Sequence, residues 1–311
     1  MSFAVVFPGQ GSQFVGMLAP LAAEFPLIEQ TFDEASTVLG YDLWKLAQEG
    51  PEADLNQTKV TQPAMLTGGV AVWRVWQELG GQEPDYLAGH SLGEFTALVA
   101  AGSLQFDAAV RLVAARGRFM AEAVVEDGAM AAVIGLPDEQ VDEICRNTAA
   151  EQGTYVAPAN YNAPGQVVIA GYRQPLEAAA AAAKSAGARM VKILPVSVPS
   201  HSQLMRPASV KLSPLLAETE FLKPRIPVMH SVDAATHPEP QDIRDLLSQQ
   251  MHLPVRWTDT ILTLSELGVT RFAECGPGKV LAGLIKRIAR GGETAIWQNT
   301  EELRSSVLDL A

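Results

Sequence analysis

Two patterns of apolar residues alternate along the first third of the chain: short continuous runs, and longer stretches with helical spacing. Residues 3–7 form a continuous apolar run that Pro8 and Gly9 stop, which is typical of a buried strand. A second short strand pattern precedes a glycine-containing turn, and longer stretches repeat apolar residues at helical spacing. Alternation of this kind indicates a parallel sheet covered by helices. The predicted elements are strands at 3–7 and 86–88 and helices at 27–39, 64–79, 92–101 and 106–124.

The middle of the chain predicts a separate unit with the order β-α-β-β-α-β, which is that of a ferredoxin-like fold. Its two central strands are joined by a predicted loop at 160–165. An alanine-rich stretch in its second half predicts an ordinary helix, because alanine is the best helix former. The predicted elements are strands at 129–134, 155–159, 166–170 and 189–194 and helices at 138–150 and 174–186.

The last third again alternates predicted strands with predicted helices, as the first third does. It predicts helices at 204–218, 242–252 and 279–290 and strands at 226–230 and 271–273. We therefore expect an α/β fold in which a core with a parallel sheet carries an inserted ferredoxin-like subdomain. The predicted large core comprises 1–124 and 197–311, and the predicted insert comprises 125–196.

Composition narrows the possible functions. Hydrophobic residues make up 48% of the 311 residues and charged residues 19%, which is ordinary for a globular enzyme. The formal net charge of -12 argues against nucleic acid as a partner, because phosphates need a basic surface. Cys145 and Cys275 lie far apart without metal-ligand spacing, so free thiols in a reducing compartment are expected, with no metal or cofactor.

The sequence pattern predicts neither a membrane-spanning segment nor an export signal. The N-terminus lacks a basic region followed by an apolar segment of signal-peptide length. No uninterrupted apolar run reaches the roughly 18 residues of a spanning helix. These features predict a cytoplasmic protein without membrane association, and we expect it to be a monomer.

The sharpest chemical signal is the segment Gly89-His90-Ser91-Leu92-Gly93, which fits the G-x-S-x-G pattern. It lies between a predicted strand and a predicted helix, the context that a nucleophile elbow requires. The turn would hold Ser91 in a strained conformation with its hydroxyl exposed, and side chains at the two glycines would collide with neighbouring backbone. A simpler interpretation is a glycine-rich turn with a serine cap.

A serine nucleophile needs a base, and the chain has five histidines from which to choose. His201 stands at a predicted strand-to-helix junction with nearby prolines that restrict the loop. His230 and His252 have no motif around them, His237 lies in a proline-rich loop, and His90 belongs to the elbow itself. The residue pattern alone favours His201 only modestly.

Six separated motifs resemble, in order, those of the malonyl-CoA:acyl carrier protein transacylases, and the resemblance covers nearly the whole chain. That family has an α/β-hydrolase-like core with a ferredoxin-like insert, which agrees with the predicted pattern. The motifs are Phe7-Pro8-Gly9-Gln10-Gly11-Ser12-Gln13, Gly89-His90-Ser91-Leu92-Gly93-Glu94, Arg116-Gly117, Asn162-Ala163-Pro164-Gly165-Gln166, Val198-Pro199-Ser200-His201 and Gly276-Pro277-Gly278.

The resemblance implies a role for each matching residue. Ser91 is the expected nucleophile and His201 the expected general base, which we expect to titrate near neutrality as an ordinary histidine does. The backbone carbonyl of Gln250 is expected to orient that histidine. The substrates implied are malonyl-CoA and acyl carrier protein, with Arg116 binding the malonyl carboxylate through two parallel hydrogen bonds. Backbone amides of Gln10 and Leu92 are expected to form the oxyanion hole.

Carrier proteins of this system are acidic as a family, and this chain is acidic too, so docking needs a local basic patch. Two candidates exist, and the first lies just before His201. The candidates are Lys184, Arg189 and Lys192 on the insert, or Lys279, Lys286, Arg287 and Arg290 on a late helix.

Three alternatives remain open from the sequence. A malonate decarboxylase loading subunit or a stand-alone polyketide acyltransferase would share the same site. A hydrolase would need an acidic third residue, for which Asp107, Asp127, Asp138 and Asp142 are available without a supporting motif. A docking subunit without activity would not need the intact set of Ser91, His201 and Arg116.

Overall fold

The computed structural model describes residues 2–123, 127–196 and 198–310, and the fold within them is of the α/β class. The strands are β1 (Ser2–Phe7), β2 (Tyr86–Gly89), β3 (Gly128–Ile134), β4 (Val156–Ala163), β5 (Gln166–Tyr172), β6 (Met190–Ile193), β7 (Val228–His230), β8 (Ala235–Thr236), β9 (Val269–Cys275) and β10 (Glu293–Trp297).

Helices cover both sheets, and a short 3₁₀ turn over Gln203–Met205 leads into one of them. The helices are α1 (Ala19–Ala22), α2 (Leu27–Leu39), α3 (Leu43–Glu49), α4 (Glu52–Leu55), α5 (Thr58–Glu78), α6 (Gly93–Ala100), α7 (Phe106–Glu122), α8 (Asp138–Gln152), α9 (Arg173–Ser185), α10 (Arg206–Glu218), α11 (Pro240–Gln249), α12 (Trp257–Glu266), α13 (Val280–Ile288) and α14 (Thr300–Leu310).

The larger sheet has the strand order β10-β9-β1-β2-β7-β8. Its strands pair in parallel except for β8, which is antiparallel to β7. Apolar side chains fill both faces, in a large cluster that includes α5 and α7 and a smaller one that includes α12 and α13. Parallel strands buried on both faces explain why β1 is an uninterrupted apolar run.

The smaller sheet is antiparallel, with the order β4-β5-β3-β6. Together with α8 and α9 it forms the ferredoxin-like unit that the sequence predicted. One face packs against these two helices, while Met130 and Val168 on the other face belong to a second small cluster. The predicted boundaries of the insert fall beside residues 124–126 and 197, which lie outside the described residues, so the division into domains remains a prediction.

Strand β4 extends further than the sequence predicted. The segment Asn160–Ala163 was expected to be a loop, because asparagine is depleted in strands. In the structure it continues β4, since Asn160 pairs with Val168 while the Tyr161 N–H donates to the Val255 carbonyl at 2.9 Å. Pairing on both sides outweighs the local propensity, and only Pro164 and Gly165 form the turn.

Helix α5 begins at Thr58, six residues before its predicted start. Pro63 lies inside it and removes one intrahelical hydrogen bond. The residues on either side of Pro63 are buried against the core, and this burial offsets the lost bond. Helices α12 and α14 and edge strand β10 had no counterpart in the prediction. No helix in the described part of the chain is long and apolar enough to cross a membrane.

Candidate active site

Ser91 lies in the turn between β2 and α6, and its backbone adopts a left-handed conformation with φ of 55°. Glycines allow this turn to form next to its neighbours. A Cβ at Gly89 would lie 1.9 Å from the Gly93 carbonyl carbon, and one at Gly93 would lie 2.0 Å from the Phe7 oxygen. The predicted nucleophile elbow is therefore present as a structural feature, with strain stored at the serine.

His201 stands directly beside Ser91. Its Nε2 lies 2.7 Å from the Ser91 Oγ, and its Nδ1 lies 2.7 Å from the Gln250 carbonyl oxygen. A carbonyl can only accept, so the proton belongs on Nδ1 and Nε2 is left free to accept the proton of Ser91. The third group is thus a neutral backbone oxygen rather than the carboxylate of a hydrolase triad.

The environment of His201 favours the neutral ring. Burial first, and then the charge of Arg116, lower the pKa of His201 to about 3, against the raising effect of the Gln250 hydrogen bond. The expectation of a titration near neutrality was therefore wrong for the free protein. A lowered pKa keeps the ring unprotonated at every physiological pH, which a general base requires.

Arg116 lies on α7 and is buried, with 1% of its surface exposed. Its Nη1 donates to Gln62 at 2.9 Å, and its Nη2 donates to the Gln250 side chain at 3.0 Å and to the Ser91 Oγ at 3.3 Å. Burial lowers the pKa of Arg116 to about 10, so the guanidinium remains charged at neutral pH. A full positive charge is thus held within reach of the serine.

Gly117 explains how α7 comes so close to α5. A Cβ at Gly117 would lie 2.7 Å from the Thr58 carbonyl oxygen and 2.8 Å from the Lys59 Cα. Arg116 lies on the buried side of α7, whereas Arg111 and Arg118 lie on its solvated side, with side chains that are about 60% exposed.

The two expected oxyanion-hole residues flank the serine turn. Leu92 is the N-cap residue of α6, and Gln10 lies in the loop after β1. Gly9 lets that loop approach the elbow, because a Cβ there would lie 2.5 Å from the His90 carbonyl oxygen. Neither backbone N–H donates a hydrogen bond to any described residue, so both are available to a ligand.

These groups open into one cavity of about 470 Å³. Met130 and Val168 of the smaller sheet supply apolar lining, and helices and loops of the core supply polar groups that include Gln62 and Arg116. Of the six residues predicted for the site, five line the cavity, and Gln250 lies behind them, fully buried. The five are Gln10, Ser91, Leu92, Arg116 and His201.

Several polar residues at the site were missed by the sequence prediction. The Gln250 side chain, and not only its carbonyl, contacts Arg116, and Gln62 holds the other guanidinium nitrogen. Glu94 accepts hydrogen bonds from His230 and Gln250, although His230 had no motif to indicate a role. The available signal was Glu94, the one charged residue of helix α6, three residues after Ser91.

His90 forms its side-chain hydrogen bond with the smaller sheet. Its Nε2 lies 2.8 Å from the Oδ1 of Asn162, which belongs to strand β4 of the smaller sheet. The contact ties the two sheets together at the rim of the cavity.

Comparison with known proteins agrees with this architecture. The family described as "Acyl transferase domain" matches residues 4–297. The malonyl CoA-acyl carrier protein transacylase of Escherichia coli K12 is 54% identical over 287 residues, which cover 92% of each chain.

Two solved structures are similar over nearly the whole fold. That of the malonyl CoA-acyl carrier protein transacylase from Coxiella burnetii has a TM-score of 0.98 and 48% identity, covering 100% of this chain and 98% of its own. The malonyl-transacylase in complex with its type II PKS acyl-carrier protein has a TM-score of 0.97 and 51% identity, covering 99% and 100%. This chain belongs to the malonyl CoA-acyl carrier protein transacylase family.

Proposed function

We propose that this chain transfers a malonyl group from malonyl-CoA to the phosphopantetheine thiol of acyl carrier protein, and so supplies fatty-acid chain extension. One observation carries the choice of acyl group. A buried, charged guanidinium shares a cavity with the Ser91–His201 pair, and Arg116 Nη2 lies 3.3 Å from the Ser91 Oγ. A malonyl thioester presents a carboxylate to such a group, and an acetyl thioester does not.

The first half-reaction follows from the hydrogen bonds around Ser91. As the Oγ attacks the thioester carbonyl carbon, its proton passes to His201 Nε2, and the Gln250 carbonyl stabilises the resulting imidazolium. The negative charge on the former carbonyl oxygen faces the N–H groups of Gln10 and Leu92. The C–S bond then breaks, and CoA leaves as a thiol with the proton from His201.

The second half-reaction reverses these steps with a different thiol. The carrier thiol gives its proton to His201 Nε2 and attacks the malonyl ester, and Ser91 recovers a proton as it leaves. The carboxylate of the bound group stays on Arg116 throughout, so the ester is held in one orientation. We place the reaction in the cytoplasm, in keeping with Cys145 and Cys275, which are both buried free thiols.

Intact mass spectrometry tests this function directly. After mixing with malonyl-CoA, the protein should gain the mass of one malonyl group, and addition of holo acyl carrier protein should remove it while the carrier gains the same mass. Ser91→Ala is the matched control and should gain nothing, because Ser91 is the one hydroxyl or thiol that hydrogen-bonds to His201 Nε2 among the described residues.

Two other outcomes would overturn the proposal. A malonyl adduct that persists in Ser91→Ala would show that another residue is the nucleophile. Steady release of free malonate without a carrier protein would identify a hydrolase.

We further propose that the carrier protein docks on the exposed edge of the smaller sheet. Strand β6 is its edge strand, and Arg189 and Lys192 are exposed there beside Met190 and Ile193, which are 52% and 39% exposed. The chain continues directly into Leu194, Pro195 and Val196 at the cavity wall. On the alternative patch, Arg287 is already occupied by hydrogen bonds to Gln166 and Pro164.

Reversing the charges of this edge should weaken the second half-reaction only. The double variant Arg189→Glu/Lys192→Glu should raise the KM for carrier protein about tenfold, because attraction of an acidic partner becomes repulsion. The rate of acylation by malonyl-CoA should stay within about twofold, and Lys286→Glu serves as the control on α13. If Lys286→Glu raises the KM and the double variant does not, the docking surface is on α13.

A further inference from the structure

Glu94 is a buried carboxylate behind the cavity, and hydrogen bonds saturate it. Its Oε1 accepts from His230 Nδ1 at 2.7 Å. Its Oε2 accepts from the Ser231 N–H at 3.1 Å, the Ser231 hydroxyl at 3.0 Å and Gln250 Nε2 at 2.9 Å. Burial alone would raise the pKa of Glu94, but the neighbouring His230 and these hydrogen bonds lower it below its ordinary value. Glu94 is therefore a stable buried anion.

The Gln250 side chain bridges this anion to Arg116. A carboxylate only accepts hydrogen bonds and a guanidinium only donates them, so an amide between the two has a single favourable orientation. Nε2 must face Glu94 and Oε1 must face Arg116, as the structure shows at 2.9 and 3.0 Å. The same Nε2 also donates to the Ser91 carbonyl oxygen at 3.0 Å. Glu94 thereby orients a residue that contacts the serine, the arginine and, through its carbonyl, the histidine.

The amide between the two charges also keeps the arginine available. A carboxylate paired directly with Arg116 would occupy the fork that a substrate carboxylate has to reach. In the structure Nη1 and Nη2 of Arg116 both donate hydrogen bonds to neutral oxygens. The Nε of Arg116 has no hydrogen-bond partner among the described residues. Glu94 still compensates the buried positive charge from a distance, since it is the group that raises the pKa of Arg116 against burial.

We propose that Glu94 is a positioning residue that acts through Gln250 to hold Arg116 charged, oriented and open to the carboxylate of the acyl substrate. This inference rests on the proposed function, because it assigns the substrate carboxylate to Arg116. Glu94 does not line the cavity and forms no bond to the reacting atoms.

The test compares two acyl donors in single-turnover acylation. Glu94→Gln removes the charge at nearly the same shape, and we expect kcat/KM for malonyl-CoA to fall about tenfold more than that for acetyl-CoA, mainly through KM, as for the loss of one charge-assisted interaction. Glu94→Asp keeps the charge and should restore most of the selectivity. Loss of rate that is equal for both donors in Glu94→Gln would show a structural role and overturn the proposal.

A second variant covers the case in which Glu94→Gln fails to fold. Gln250→Met removes the amide bridge but keeps the backbone carbonyl that orients His201, and it should lower the preference for malonyl-CoA in the same direction. An unchanged preference in a folded Gln250→Met variant would also overturn the inference. Failure of the proposed function would appear separately, as the absence of a malonyl adduct on the unaltered protein.

Discussion

Replacing His201 with alanine should slow the acylation of Ser91 by malonyl-CoA about 10²- to 10⁴-fold, the usual contribution of a general base. Alanine cannot accept the Ser91 proton, and no other base lies within hydrogen-bond distance of its Oγ among the described residues. Rapid-quench intact mass spectrometry measures the effect, with circular dichroism to check the fold. His252→Ala, in a histidine outside the cavity, is the matched control and should acylate normally. A His201→Ala rate within tenfold of the unaltered protein would contradict the assignment.

The pH profile gives a second readout of the same residue. Because the pKa of His201 is lowered to about 3, the ring is already neutral and competent as a base above about pH 5, and protonation removes activity only below that. Burial, Arg116 and His90 all lower this pKa, while Arg116 itself stays charged until about pH 10. We expect kcat/KM for acylation to be flat between about pH 5 and 8. A midpoint near 6.5, the ordinary value for histidine, would show that the ring is not held in this environment.

Local sequence patterns were sufficient to find the proposed nucleophile but not its partners. The elbow around Ser91 is encoded within a few residues, since Gly89 and Gly93 are needed for contacts inside the same strand-turn-helix unit and with the adjacent β1. His201 is 110 residues further along, and its contact with Ser91 depends on how two separate segments pack. For this reason the residue pattern favoured His201 only modestly, and the family resemblance was needed to choose it.

The composition of the chain does not show which of its charged residues are buried at the site. Arg116 and Glu94 are of residue types that are almost never fully buried unless they are paired, and each is enclosed here because a partner satisfies it. The Glu94–His230 contact spans 136 residues, and the Arg116–Gln250 contact spans 134. Neither pairing has a local signature, whereas the amphipathic periodicity of α2 predicted that helix at its observed bounds, Leu27–Leu39.

The length of strand β4 also depends on contacts between residues that are distant in the sequence. Residues Asn160–Ala163 have poor strand propensity, and they are extended because β5 lies on one side and the chain around Val255 on the other. That pairing places the segment five residues after Gln250 against the smaller sheet.

Replacing Arg116 with alanine should lower kcat/KM for malonyl-CoA roughly 30- to 5,000-fold. This range corresponds to a loss of about 2–5 kcal/mol of transition-state stabilisation, as for other buried charge-assisted pairs. Acetyl-CoA has no carboxylate for the guanidinium to bind, so its acylation rate should fall far less. The residual loss with acetyl-CoA reflects Gln62 and Gln250, whose side-chain oxygens lose their donor. The ratio of the two single-turnover rates, measured by intact mass spectrometry, isolates the contribution of the carboxylate.

Two further variants separate charge from shape and helix position. Arg116→Lys keeps a positive charge but not the planar fork that binds a carboxylate with two parallel hydrogen bonds, so it should recover only part of the selectivity. Arg118 lies two residues further along α7, and its side chain is 61% exposed. The variant Arg118→Ala should therefore leave both rates unchanged. Equal losses for malonyl-CoA and acetyl-CoA in Arg116→Ala would mean that this arginine supports the fold of the cavity and does not select the acyl group. A preference for malonyl-CoA that survives in Arg116→Ala would require a different cation, and in the described lining of the cavity Arg116 is the only lysine or arginine.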